Sequence, residues 1–127
     1  MDAFTCAIRN GGNKKIKGGM EQMETVYICS PYRAKTDEQL KRNVEYAQEL
    51  TREVLMQGGA PITVHLYMTQ CLSEDNPQER EIGLAAGRNI VDRCDIVVVG
   101  QRFGITEGME REMRIARDAG IKILYHS

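Results

Sequence analysis

From Thr25 onward the chain alternates two hydrophobic periods. Val26-Tyr27-Ile28-Cys29 is a short β-branched and aromatic run closed by Ser30-Pro31, and it predicts a first strand that ends where proline cannot donate to a ladder. Leu40, Val44, Ala47, Leu50, Val54 and Leu55 then recur at helical spacing. Thr36 followed by Gln39 supplies a capping-box start and Gly58-Gly59 a stop, so a helix of about five turns is expected between them. Residues 60–64 read as a second strand with Pro61 at its start, and the segment carrying Tyr67, Met68 and Cys71 reads as a loop. Asn76-Pro77 with Glu79 marks a second helix, running from Pro77 to about Arg93. Asp95 introduces Ile96-Val97-Val98-Val99, an uninterrupted apolar run suited to a strand buried on both faces. Thr106 caps a third helix with Met109, Met113 and Ala116 on one face and Gly120 at its end, and residues 121–125 form a last strand.

Strict alternation of strand and helix predicts an α/β fold: a doubly wound, flavodoxin- or Rossmann-like parallel sheet of about four strands in order 2-1-3-4, flanked by helices. Residues 1–23 break the pattern with Gly11, Gly12, Gly18, Gly19 and several basic side chains. They read as a flexible tail or arm, with a stretch from Phe4 to Ile8 that a partner subunit would order, and residues 24–127 read as one domain. A sheet this small protects only one edge well, so a homo-oligomer, dimer or higher, is expected.

The 127 residues carry 17 Lys+Arg against 18 Asp+Glu, a net charge of -1, which argues against a nucleic-acid polymer as partner. Cys6, Cys29, Cys71 and Cys94 are widely spread, with no CxxC pair and no clustered His, so neither structural zinc nor another metal is implied. No apolar run reaches the roughly 20 residues that span a bilayer, and no secretory leader is recognisable. A cytoplasmic protein with reduced thiols and no membrane contact is the expectation. The stretch from Gly100 to Gly108 does not match GxGxxG, and no Walker glycine pattern occurs, so no cofactor is implied.

In an open parallel sheet a ligand sits beyond the carboxyl ends of the strands, where strand order reverses. Ser30-Pro31-Tyr32-Arg33 offers there a hydroxyl, an aromatic plate and a guanidinium, suited to a phosphate or carboxylate and to a base or sugar; a solvated turn is the plain alternative. Gln101, Gly104, Thr106, Gly108 and Met109 would line the crevice from the loop after the third strand. Gly108 in a first helical turn costs up to about 1 kcal/mol against alanine, which close approach of a ligand to the backbone would explain. Glu110, just inside the same helix, would stay ionised at the positive end of its dipole and act as nucleophile or stabilise an oxocarbenium ion, unless it is an ordinary first-turn acid. His65 is either a satisfied structural histidine or a ligand-binding and proton-transfer group. Glu79-Arg80-Glu81 reads as a solvated helix face.

Residues 26–33, the strand from Asp95 to Gly100, Gly108-Met109-Glu110, Ala116, Gly120 and the closing strand together resemble the nucleoside 2-deoxyribosyltransferase-like superfamily, more closely its small bacterial and phage branch. The resemblance spans residues 25 to 125 and rests on the order of the pieces. It implies that Glu110 is the nucleophile that attacks the anomeric carbon of a (deoxy)nucleoside, and that Ser30 and Arg33 hold a 5'-phosphate beside Tyr32. It also implies carboxylates at positions that here are Gly104 and Ala86 or Gly87, for which His65, Glu81 or Glu107 would have to substitute. The expected function is cleavage or transfer of a nucleoside or nucleotide N-glycosidic bond. The alternative is a non-catalytic module of the same fold that binds a nucleotide or an ADP-ribose-like molecule.

Overall fold

The computed structural model describes residues 23–127 together with two antiparallel dipeptides, Ile16–Lys17 and Met20–Glu21. The rest of the tail expected over residues 1–23, with its arm from Phe4 to Ile8, lies outside the described residues. The remaining elements are β1 (Thr25–Cys29), α1 (Asp37–Met56), β2 (Ala60–Ile62), a 3-10 turn (Val64–Leu66), the one-turn helix α2 (Met68–Cys71), α3 (Pro77–Val91), β3 (Ile96–Gly100), α4 (Glu107–Asp118) and β4 (Lys122–His126).

The four strands are all parallel in the order β2-β1-β3-β4, the expected 2-1-3-4 arrangement of a doubly wound α/β fold. Alternation along β1 sorts the core into two layers. Val26 and Ile28 pack on one face with Tyr46, Leu50 and Val54 of α1. Tyr27 and Cys29 point the other way, among Val91 of α3 and Met109, Met113 and Ala116 of α4. β3 repeats the division, with Ile96 and Val98 toward α1 and Val97 and Val99 toward α4, so both central strands are buried on both faces.

The helix starts behave as their side chains dictate. Thr36 Oγ1 accepts from Gln39 N at 3.1 Å, while the Gln39 side chain reaches back to Lys35 N at 3.0 Å. Asn76 Oδ1 accepts from Gln78 N and Glu79 N at the start of α3, and Thr106 Oγ1 accepts from Met109 N at 3.2 Å at the start of α4. Gly58, at φ +89°, carries the chain out of α1 in the left-handed conformation that favours glycine.

β2 is shorter than expected. It pairs with β1 only at residues 60–62, and Val64 then turns into the 3-10 segment instead of extending the strand. The segment expected as a loop holds the single turn α2. Both departures occur at the edge of the sheet, and together they swing His65 and Met68 over the carboxyl end of β1.

Candidate active site

A cavity of about 370 Å³ opens at the carboxyl ends of the strands, on the α3 and α4 side of the sheet. Tyr27 and Ser30 come from β1 and its exit, Val64 to Leu72 form one wall, the inward face of α3 forms another, and the first turns of α4 close it.

At its floor the Tyr27 hydroxyl donates to Glu112 Oε2. The Cys29 thiol lies 3.8 Å from Glu112 Oε1 and 3.7 Å from Met109 O. Burial raises the Glu112 carboxyl to a pKa of about 7, against the two hydrogen bonds that favour its ionised form. Burial first, and then the neighbouring carboxylate, push the Tyr27 hydroxyl and the Cys29 thiol well above their ordinary values, so both remain protonated donors. The result is a carboxyl group near half ionisation at neutral pH, held by neutral donors against the inner end of the cavity.

Ser30, Tyr32, Arg33 and His65 meet at the next level. Ser30 is buried, and its Oγ shares a hydrogen bond of 2.9 Å with His65 Nε2. The Tyr32 ring stands edge-on to His65 at 6.1 Å between centroids, and the buried Asn43 of α1 donates to Tyr32 O at 3.2 Å, which fastens this loop to the helix behind it. Arg33 is exposed at the mouth and forms no ion pair among the described residues. Burial lowers His65 to a pKa of about 4, so near neutral pH its imidazole is uncharged and offers hydrogen bonds, not a ready proton.

Thr106, Gly108 and Met109 also line the cavity. Gly108 meets no crowding: a Cβ there would have Thr106 Oγ1 at 3.9 Å as its nearest neighbour, and its open side belongs to the cavity.

Three expected site residues lie elsewhere. Glu110 is exposed and outside the cavity lining, because it falls between the inward positions of α4, whose stripe is Met109, Glu112, Met113 and Ala116. Gln101 and Gly104 are also exposed and outside it. Their loop folds over the α1 side of the sheet: Gln101 N continues the ladder to His126 O at 2.9 Å, the Arg102 guanidinium lies 4.5 Å over the Tyr46 ring, and Phe103 packs edge-on against Tyr46 at 5.2 Å. Gly104 is needed for its turn, at φ +88°.

Glu112 and Tyr27 have a signal in the sequence. Glu112 is the one charged position inside the apolar i, i+3, i+4, i+7 stripe that starts at Met109, and Tyr27 carries the one hydroxyl in the run Val26-Tyr27-Ile28-Cys29. Glu79 and Arg80 also turn inward, whereas Glu81 is exposed, lies outside the lining and pairs with Arg88 at the cavity rim at 2.9 Å, so only part of that run is a solvated face. Glu107 is exposed and pairs with Arg111 at 3.3 Å.

A family model described as "Domain of unknown function (DUF7768)" matches residues 24–126. The chain belongs to the DUF7768 family. The DUF7768 match covers the whole four-stranded sheet and every helix around the cavity. No curated protein sequence matches the chain. This DUF7768 structure is similar to that of a 2-deoxyribosyltransferase from the psychrotolerant bacterium Bacillus psychrosaccharolyticus, with a TM-score of 0.58 and 17% identity over 80% of this chain and 70% of that one. The likeness is one of fold. Among the described residues of the DUF7768 chain, no helix is long and apolar enough to cross a membrane, and no group of three or more His, Cys, Asp or Glu is placed to hold a metal ion.

Proposed function

We propose that this cavity cleaves or transfers the N-glycosidic bond of a nucleoside or its 5'-phosphate, with Glu112 as the nucleophile. The observation that carries the reading is a carboxyl group at the cavity floor, held by the Tyr27 hydroxyl, in a fold shared with a 2-deoxyribosyltransferase. A Glu112 carboxylate oxygen bonds to the anomeric carbon as the carbon–nitrogen bond breaks; its electron pair leaves with the base, which takes up a proton. Water or a second base then attacks the same carbon and releases Glu112. Each step uses only the chain and its substrates, so no cofactor enters.

Ser30, with the neutral His65 behind it, and Arg33 at the mouth suit the sugar hydroxyls or a 5'-phosphate, and Tyr32 flanks them. Glu110 takes no part in this scheme. Mass spectrometry after incubation with a 2-deoxy-2-fluoro nucleoside, which slows breakdown of a glycosyl-enzyme, tests it. A sugar-sized mass increase on the peptide containing Glu112 is expected, and an increase on Glu110 instead would overturn the assignment.

A second reading is a nucleotide-binding module without turnover, and the neutral His65 favours it, since the leaving base then lacks a cationic acid beside it. It predicts a ligand-induced rise in Tm with no free base on long incubation. We also read residues 24–127 as the working domain of a cytoplasmic homo-oligomer of the small bacterial and phage branch. The sheet's outer strands β2 and β4 support self-association, as does the exposed Tyr125 on β4.

A further inference from the structure

Helix α3 lays Glu79, Gly83 and Gly87 along the cavity at successive turns, with Arg80 beside the first. A Cβ on Gly87 would lie 3.5 Å from the Tyr27 hydroxyl oxygen, so this end of the face abuts the Tyr27–Glu112 pair. Glu79 is eight residues away, a rise of about 12 Å along the helix. Between them Leu72 covers Gly83, with its Cδ1 3.1 Å from where a Cβ would stand, Gly87 withholds a side chain, and Leu84 and Met68 extend the apolar lining. A flat ring system lying against this apolar lining, with its sugar at Glu112, would carry its outer edge toward Glu79 and Arg80.

The outer pair differs from the other charged groups around the mouth. Glu81 and Arg88 engage each other at 2.9 Å, as do Glu107 and Arg111 at 3.3 Å. Glu79 and Arg80 are half-buried, line the cavity and are not paired together. Glu79 Oε1 accepts from Ser73 N at 3.2 Å, which fixes the carboxylate and leaves Oε2 without a hydrogen bond among the described residues. Arg80 Nε is ion-paired with Glu74 Oε2 at 3.8 Å, while its two Nη groups have no partner among the described residues. An anchored acceptor therefore stands beside a forked donor at the far end of an apolar slot.

We propose, resting on the N-glycosidic reading above, that Glu79 and Arg80 read the outer edge of the base and select 6-oxopurines. Hypoxanthine and guanine carry N1–H, which donates to Glu79, next to O6 and N7, which accept from Arg80. Adenine opposes both contacts, with a lone pair at N1 and an amine at C6. A single-ring pyrimidine seated with its sugar at Glu112 falls short of the pair. A site built on hydrogen bonds rejects the mismatched base, because its half-buried partners are left unpaired.

The test measures kcat/KM for base release from matched hypoxanthine, guanine, adenine and cytosine nucleosides and 5'-monophosphates, with ligand-induced Tm shifts for the same compounds. It uses the full chain as wild type, Glu79→Gln and Arg80→Gln. The 6-oxopurine substrates are expected to lead adenine by about 100-fold or more, and each substitution to cut that ratio by about 10-fold or more. A folding defect lowers every substrate together, so the ratio isolates base reading. Equal release of adenine and hypoxanthine, or a ratio unmoved by both variants, overturns the proposal and leaves N-glycosidic cleavage standing. No release of any base, with Tm shifts selective for 6-oxopurine compounds that vanish in Arg80→Gln, overturns cleavage and supports the base reading. No release and no selective shift overturns both.

Discussion

Tyr27, on the first strand of the sheet, donates its hydroxyl hydrogen to Glu112, on the last helix, across the floor of the cavity. The two residues are 85 positions apart in sequence and meet because Tyr27 faces the α4 layer and Glu112 occupies the one charged place in the stripe that α4 turns toward it. Burial disfavours the carboxylate, and the phenol offsets part of that cost.

The Glu112 carboxyl makes stability depend on pH. Its folded pKa of about 7 lies above the unfolded value near 4.5, so the folded state holds this proton more tightly. The stabilisation is fully present below pH 4.5 and is lost as pH rises through about 7. Glu112→Gln removes this dependence while keeping an acceptor for Tyr27. At pH 8 the variant is expected to be more stable than wild type by on the order of 1–3 kcal/mol, with the difference shrinking toward pH 4. Denaturant titrations at both pH values check this.

Catalysis by an ionised Glu112 gives kcat/KM for base release an acidic limb near pH 7. Tyr27→Phe removes a hydrogen bond that lowers this pKa, so the limb moves to higher pH. His65 is already neutral above about pH 4 and contributes no limb in the neutral range. A rate profile in wild type and Tyr27→Phe reads both statements, and a limb that stays in place in the variant contradicts the first.

The glycines on the two faces of the sheet should respond oppositely to alanine. At Gly100 a Cβ would stand 2.5 Å from Leu50 Cδ1 and 2.9 Å from both Cε2 and the hydroxyl oxygen of Tyr46, so Gly100→Ala is expected to destabilise by about 1–3 kcal/mol. At Gly87 the nearest atom is the Tyr27 hydroxyl oxygen at 3.5 Å, an ordinary contact, and helix propensity favours alanine. Gly87→Ala is expected to fold at least as stably as wild type and to bind ligand more weakly, because its methyl enters the cavity. Thermal melts with and without nucleotide separate the two effects.

Ser30→Ala leaves His65 Nε2 without its partner beside a buried methyl, at a cost of about 1 kcal/mol in stability. If Ser30 also holds sugar or phosphate oxygens, KM rises more than kcat falls. A change confined to stability would remove Ser30 from the ligand contacts.

Most of the fold was legible because its punctuation is local. Thr36, Asn76 and Thr106 cap the long helices, Gly58 and Gly120 mark the exits of α1 and α4, and the valine run at 96–99 announces a strand covered on both sides. The end of β2 was not legible, since Val64 suits a strand as well as a turn and the choice follows from what it packs against. The site was legible only by region. Glu110 and Glu112 are two residues apart on a helix, and the register of the apolar stripe, not proximity to the helix start, decides which faces the cavity. Its position after a strand predicts the loop at 101–104 at the crevice. Aromatic packing on Tyr46 draws it to the opposite face.

The most direct test is chromatographic detection of free base after incubating pooled nucleosides and deoxynucleoside monophosphates with wild type, Glu112→Ala and Glu110→Ala. Release by wild type and Glu110→Ala, with loss of about 100-fold or more in Glu112→Ala, is the predicted result. Base release that survives in Glu112→Ala, or that disappears in Glu110→Ala while the protein stays folded, would contradict Glu112 as the nucleophile.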